Sequence, residues 1–186
     1  LATRLRKLGW EGKITLIGEE PHLPYHRPPL SKDYLKGNKT KESMLIHAAA
    51  AYEKANIDLV LGQRVASVDR ASRQLTLADG RRQAYDKLVL ATGSVPRRLP
   101  VPGADLAGVC YLRNANDVDR IRAAARAGGR AVIVGGGYIG LEVAASLRML
   151  DMTVTVVEAM DRVLQRITCE PVSRFFTRVH EEEGVD

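Results

Sequence analysis

The chain has 186 residues, 45% of them hydrophobic and 27% charged, with 28 basic against 22 acidic side chains and a net charge of +6 at neutral pH. This composition fits one ordinary globular domain or two small ones and excludes a disordered or fibrous chain. No apolar run approaches the roughly 18 to 20 residues of a membrane-spanning helix, and the opening LATRLRKLGW lacks the apolar core of a signal peptide, so a cytoplasmic setting is expected. Cys110 and Cys169 are far apart, which suggests two free thiols rather than a disulfide framework or a zinc site. The positive charge is spread along the chain, which suits anionic cofactors or acidic protein partners at least as well as nucleic acid, and with aromatics at 5% and no RNP-like or zinc-finger pattern nucleic-acid binding is not expected.

In chain order, Leu5 and Leu8 lie at helical spacing and Gly9 ends that segment, after which KITLIGEE reads as a strand. The stretch YHRPPLSK, residues 25 to 32, follows. Its two prolines remove two backbone donors and fix two φ angles, so it is no core strand. It is either a rigid turn that aims Arg27 and Lys32 at something anionic or electron-rich, or a Pro-rich corner before the next helix. SKDYLKG is expected to form one or two helical turns capped by Ser31 and stopped by Gly37, and HAAAAYEKAN a further helix.

From residue 57 to 92 the pattern is β: IDLVLG, QRVASVDR, RQLTLADG and YDKLVLATG are short β-branched runs, with Asp79-Gly80 as a tight-turn signal. SVPRRLPVPG breaks the periodicity and reads as a connection. Helix at ANDVDRIRAAARAG, strand at RAVIVGGG, helix at YIGLEVAASLRML, strand at MTVTVVEAM and helix at EPVSRFFTRVHEEE then alternate as a βαβ unit, which requires a parallel sheet. The class is therefore α/β, with parallel sheets and an inserted antiparallel section.

In VIVGGGYIGLEVA, Gly135, Gly137 and Gly140 satisfy G-x-G-x-x-G between a strand and a helix. The first glycine permits the tight turn, the second lets backbone approach a pyrophosphate, and the third allows close helix-strand packing. The anion would meet the N–H groups at the helix start, where Tyr138 and Ile139 lie. Glu158 ends the next strand where an acid would accept from the adenosine ribose 2'-OH, which favours NADH over NADPH because a carboxylate repels a 2'-phosphate. Arg162 and Arg166 lie close by and oppose that preference. Glu19 ends ITLIGEE in an equivalent place; it is either a second ribose acid or a solvated acid after an edge strand.

Together, YHRPPLSK, YDKLVLATGS and VGGGYIGLEVA resemble the FAD-dependent pyridine nucleotide oxidoreductases, in particular ferredoxin reductases of the putidaredoxin reductase and biphenyl dioxygenase reductase type. The resemblance covers essentially the whole chain. It implies a two-dinucleotide-binding-domain flavoprotein, Rossmann-like in both halves, with residues 1–114 as a partial FAD-binding domain and 115–186 as a partial NAD-binding domain. The first strand and Gly-rich loop of the FAD domain, its returning segment and a C-terminal domain would lie outside these residues. Electrons would pass from NADH to FAD and on to an acidic [2Fe-2S] ferredoxin or a rubredoxin.

The same resemblance makes Glu19 the ribose acid of the FAD site and Lys32 the lysine beside the flavin, with Arg27 and Pro28 in the turn that holds it. Val65 would offer its backbone to the adenine, Ala91, Thr92 and Gly93 would turn near the nucleotide, and Arg113 would contact the FAD. Glu142 would pair with Lys32 across the domain boundary. Disulfide reductases of the wider family carry Cys-x-x-x-x-Cys beside the flavin, whereas this chain has RPPLSK. Electron delivery to an external acceptor is therefore expected. The alternatives are a non-catalytic nucleotide-binding module and a related NADH oxidase or disulfide reductase.

Overall fold

The computed structural model describes residues 1–186, which form two compact units interleaved in sequence: Leu1–His26 with Leu45–Ser94, and Arg27–Met44 with Val95–Asp186. No helix is long and apolar enough to cross a membrane.

In the first unit, helix α1 (Ala2–Lys7) precedes strand β1 (Ile14–Gly18), and helix α2 (Ala49–Lys54) precedes strand β2 (Ile57–Leu61). The strands pair in parallel, Ile14 opposite Ile57 and Gly18 opposite Leu61. Parallel neighbours need a crossover between them, here a long connection that ends in α2. Arg6 joins the two helices: its Nε donates to the Ala55 carbonyl and its Nη2 to that of Asn56, both at 2.7 Å.

Strands β3 (Val65–Asp69), β4 (Gln74–Leu77) and β5 (Arg82–Ala84) form an antiparallel meander in that order. Its middle strand alternates as a half-buried strand should, with Leu75 and Leu77 buried and Gln74 and Thr76 less so. The expected Asp79-Gly80 turn is present: Gly80 takes φ +85° and donates to the Leu77 carbonyl at 2.9 Å. That turn makes β5, which the sequence did not announce. RRQAY has no β-branched residue, but the turn folds it back against β4.

The second unit begins with a 3-10 helix at Pro28–Ser31 and another at Glu42–Met44. Helix α3 (Ala115–Ala124), strand β6 (Arg130–Val134), helix α4 (Tyr138–Arg148), strand β7 (Thr153–Val157) and helix α5 (Glu170–Glu182) follow. β6 and β7 pair in parallel, with Val134 opposite Val157, so the expected βαβ succession is realised. Val118, Ala144 and Val154 are fully buried, and Leu30, Leu35 and Met44 are at most 2% exposed. Burying a side chain of the Leu or Met type stabilises by about 1.5–3 kcal/mol. The segment Arg27–Met44 thus enters the core of the second unit. α5 is seated on α4 through His180, whose ring nitrogens lie 2.9 Å from the Phe176 carbonyl and 3.1 Å from that of Leu141.

Two expected elements differ. The YDKLVLATG run forms no strand; residues 87–94 have no regular structure, and Val89 and Leu90 are 61% and 71% exposed. A strand exists only by pairing, and the parallel sheet of this unit contains β1 and β2 alone. The helix expected after a Ser31 cap instead starts at Pro28, because prolines fit the first helical positions where their missing donors cost nothing. It ends as 3-10 at Ser31, and Lys32, at φ −122° and ψ −111°, interrupts any continuation. Gly37 does close the turns that follow, at φ +84°.

Candidate functional site

The Gly-rich turn is built as its sequence requires. Gly135 leaves β6 at φ +113°, and its N–H donates to the Val157 carbonyl at 2.8 Å. A Cβ on Gly140 would lie 2.0 Å from the Gly135 carbonyl oxygen, so only glycine lets α4 start this close to the strand. Around Gly137 there is open space, with nothing within 4 Å of where a Cβ would stand. Gly137 is the N-cap of α4 and offers no side-chain cap, and the first intrahelical bond is Leu141 N–H to the Gly137 carbonyl at 3.0 Å. The N–H groups of Tyr138, Ile139 and Gly140 precede that bond, and a helix leaves such donors to a ligand or solvent. An open cradle, uncapped donors and a glycine where bulk is forbidden fit a dinucleotide pyrophosphate.

Glu158, the residue after β7, closes the lip of this turn. Its Oε2 accepts from the Gly136 N–H at 2.7 Å and its Oε1 from the Met160 N–H at 2.9 Å. The Met160 donor first, then those of Gly136 and Ala159 and the Arg166 charge, hold its carboxyl below the usual carboxylate range against the opposing effect of burial. A carboxylate has about four acceptor positions. Beyond the donors of Gly136, Ala159 and Met160, Glu158 keeps capacity for a ribose hydroxyl. Arg162 is engaged elsewhere: it donates to the Ser173 hydroxyl and, at 3.4 Å, to the Gln165 carbonyl.

Lys32 and Glu142 come together in the second compact unit. Lys32 Nζ lies 2.6 Å from Glu142 Oε1, with the two side chains 45% and 31% exposed. Glu142 stands beyond the first turn of α4, which holds no acidic residue, so this ion pair defines it rather than the helix dipole. Its other oxygen accepts from the Ser31 hydroxyl at 2.5 Å, and Lys32 Nζ also reaches the Pro28 carbonyl at 3.3 Å. Arg27 Nη1 donates to the Arg113 carbonyl at 2.9 Å, tying the Pro-rich turn to the residue before α3. There Asn114 and Asp117 form a reciprocal capping box, and the Asp117 Oδ2 also accepts from the Arg113 N–H at 2.9 Å.

The remaining expected site residues belong to the first unit. Glu19 is exposed directly after β1, and the Gln63 N–H donates to the Gly18 carbonyl at 2.9 Å, so the approach to Val65 passes the carboxyl end of β1. Parallel sheets bind ligands at that end of their strands. Val65 opens β3 beside an irregularity in its pairing. Ala91, Thr92 and Gly93 are exposed in the irregular segment, with Gly93 at φ +69°.

Sequence reading missed Ser31 as a partner of Glu142, because it treated the serine as a cap. It also missed the anchoring of the turns after Lys32: the Tyr34 hydroxyl donates to Asp119 Oδ1 at 2.6 Å, and Lys41 Nζ lies 2.7 Å from Asp119 Oδ2. Burial first, then the Asp119 bond and charge, push the Tyr34 phenol up to about 12. The capping box Asn114-x-x-Asp117 also went unread, although an N-cap residue followed at the third position by an acid is the signal for it.

The chain has relatives among known proteins. The family model described as pyridine nucleotide-disulphide oxidoreductase matches residues 1–186. Putidaredoxin reductase of Pseudomonas putida is 46% identical over 189 residues, covering 100% of this chain and 45% of the relative. A ferredoxin--NAD(P)(+) reductase of a Sphingomonas species is 46% identical over 185 residues, with 100% and 45% covered. The putidaredoxin reductase-putidaredoxin covalent complex superposes at TM-score 0.92 with 44% identity, over 100% of this chain and 46% of that one. The ferredoxin reductase for the CYP199A2 system of Rhodopseudomonas palustris gives TM-score 0.94 at 39% identity, over 99% and 45%. The chain therefore spans a little under half the length of the curated relatives it matches. With both the family model and these relatives matching along its whole length, the chain belongs to the pyridine nucleotide-disulphide oxidoreductase family.

Proposed function

We propose that the protein is an NADH-dependent FAD reductase that passes electrons from NADH to a [2Fe-2S] ferredoxin or a rubredoxin serving an oxygenase, and that it works in the cytoplasm. The observation that carries this reading is the Lys32–Glu142 pair at 2.6 Å, set in a turn that holds proline and serine where disulfide reductases would hold cysteine. The names of the relatives, which are ferredoxin reductases, support it.

In this reading the Gly135–Gly140 turn takes the NADH pyrophosphate on the N–H groups of Tyr138, Ile139 and Gly140, and Glu158 accepts from the adenosine ribose. Residues 115–186 form the NAD-binding part. Residues 1–114 supply the FAD contacts: Glu19 for the ribose, Val65 for the adenine, Ala91, Thr92 and Gly93 for the nucleotide, and Arg27, Pro28, Lys32 and Arg113 toward the flavin. When bound, FAD supplies an acceptor for the nicotinamide hydride and a donor of single electrons. Lys32 offers its ammonium as a hydrogen-bond donor, and Glu142 keeps that ammonium aimed. The net charge of +6 favours an acidic partner protein through electrostatic attraction.

The test is the full-length protein reconstituted with FAD and mixed with NADH and a [2Fe-2S] ferredoxin under anaerobic conditions. Bleaching of the flavin followed by reduction of the iron–sulfur protein is expected; a flavin that NADH does not bleach defeats the proposal. Lys32→Ala should slow flavin reduction while leaving NADH affinity nearly unchanged.

A further inference from the structure

Ser31 is 5% exposed and Ser146 3% exposed. Ser31 donates its hydroxyl to Glu142 Oε2 at 2.5 Å, leaving Oε1 for Lys32. Ser146 donates its hydroxyl to the main-chain carbonyl of Ser31 at 2.7 Å. Glu142 and Ser146 are four residues apart on α4 and so share one helix face. One face of α4 therefore grips residue 31 twice, by its side chain and by its backbone.

We infer that Ser31 and Ser146 are positioning residues for the Lys32–Glu142 pair. An exposed lysine–glutamate pair has many rotamers, and fixing both flexible side chains in one geometry offsets much of its Coulomb energy. Here a buried neutral donor immobilises the carboxylate from the side opposite the ammonium. The orientation of Glu142 is thereby set by Ser31, not by Lys32. Ser146 fixes the height of the Pro-rich turn along α4, which decides where the following residue, Lys32, emerges. This inference rests on the proposed role of Lys32 for its functional meaning, but the geometry can be tested without it.

The test uses the full-length protein with and without FAD. Reductive methylation of lysines, followed site by site by peptide mass spectrometry, reads how freely the Lys32 ammonium is held. Glu142→Gln should raise Lys32 labelling by roughly threefold, the scale of losing a partly exposed ion pair. Ser31→Ala should raise it by a similar factor, Ser146→Ala by less, and Ser31→Thr, which keeps the hydroxyl, should restore the wild-type rate. In the Glu142→Gln background, Ser31→Ala should add nothing. A further increase there, or unchanged labelling in a folded Ser31→Ala protein, overturns the inference. If labelling behaves as expected while NADH-driven flavin reduction is the same in all variants, the positioning stands and the role proposed for Lys32 fails. Slowed flavin reduction in Glu142→Gln with unchanged Lys32 labelling in Ser31→Ala keeps that role and removes Ser31 from it.

Discussion

Each of the two parallel sheets has an acid directly after a strand, Glu19 after β1 and Glu158 after β7, and the two positions are built differently. In the second unit, β6 runs into a glycine turn whose third glycine cannot bear a Cβ, and Glu158 is fixed by two backbone donors. In the first, β1 ends at Gly18, where a Cβ would meet only Leu61 Cδ2 at 3.9 Å, and Glu19 is exposed. The difference teaches that a strand-terminal acid becomes a defined acceptor only when a turn supplies donors that orient it. Without them the same residue type stands exposed at the strand end.

The sharpest way to break this comparison is to substitute the two glycines. Gly140→Ala should destabilise by about 3 kcal/mol, since backbone must shift to relieve the contact with the Gly135 carbonyl. Gly18→Ala should change stability by about 0.5 kcal/mol at most. Thermal denaturation of both variants checks this, and equal losses would erase the distinction. Next in size, Glu158→Ala leaves the Gly136 and Met160 N–H groups without their charged acceptor and should cost about 2 kcal/mol, whereas Glu19→Ala should stay within about 0.5 kcal/mol. In the proposed function, Glu158→Ala also weakens NADH binding and narrows the gap to NADPH, which titration of both cofactors measures.

The pH dependence sharpens the same contrast at smaller amplitude. Because Glu158 titrates below its ordinary 4.5 in the folded state, its contribution to stability is complete above that pH and fades as pH falls through the lowered value. The acid limb of the stability curve should therefore flatten in Glu158→Ala. On the alkaline side, Tyr34 is raised from 10.0 to about 12, so its contribution is complete below pH 10 and fades toward 12. Absorbance titration near 295 nm should show a late-titrating tyrosine that Tyr34→Phe removes. In the first unit, burial alone raises the phenol of Tyr52, without a carboxylate partner to add to it.

What could be read in advance follows from periodicity and from residues with special backbone needs. β6, α4 and β7 were legible because β-branched runs, a glycine turn and a helical apolar face follow one another without interruption. The Asp79-Gly80 turn was legible because glycine there meets a positive φ that few residues tolerate. YDKLVLATG forms no strand here: its β-branched composition marks residues able to pair, and within residues 1–186 the parallel sheet holds β1 and β2 alone. Ser31 misled because a hydroxyl before a helical pattern signals a cap, while Pro28 and Pro29 had already started the helix. The pairing of Lys32 with Glu142 could be expected only by resemblance, since 110 positions separate them in sequence.

The sequence by itself determined the α/β class, the parallel βαβ unit, the glycine turn with its following acid, and the stiff cysteine-free turn before Lys32. These depend on local conformational limits and on hydrophobic spacing, which are properties of short segments. Only the tertiary structure decided that Arg27–Met44 packs with Val95–Asp186, that Ser31 holds Glu142, and that Ser146 holds Ser31. Those contacts join residues 111 and 115 positions apart. Their partners are selected by which apolar faces are buried together, and no short segment carries that information.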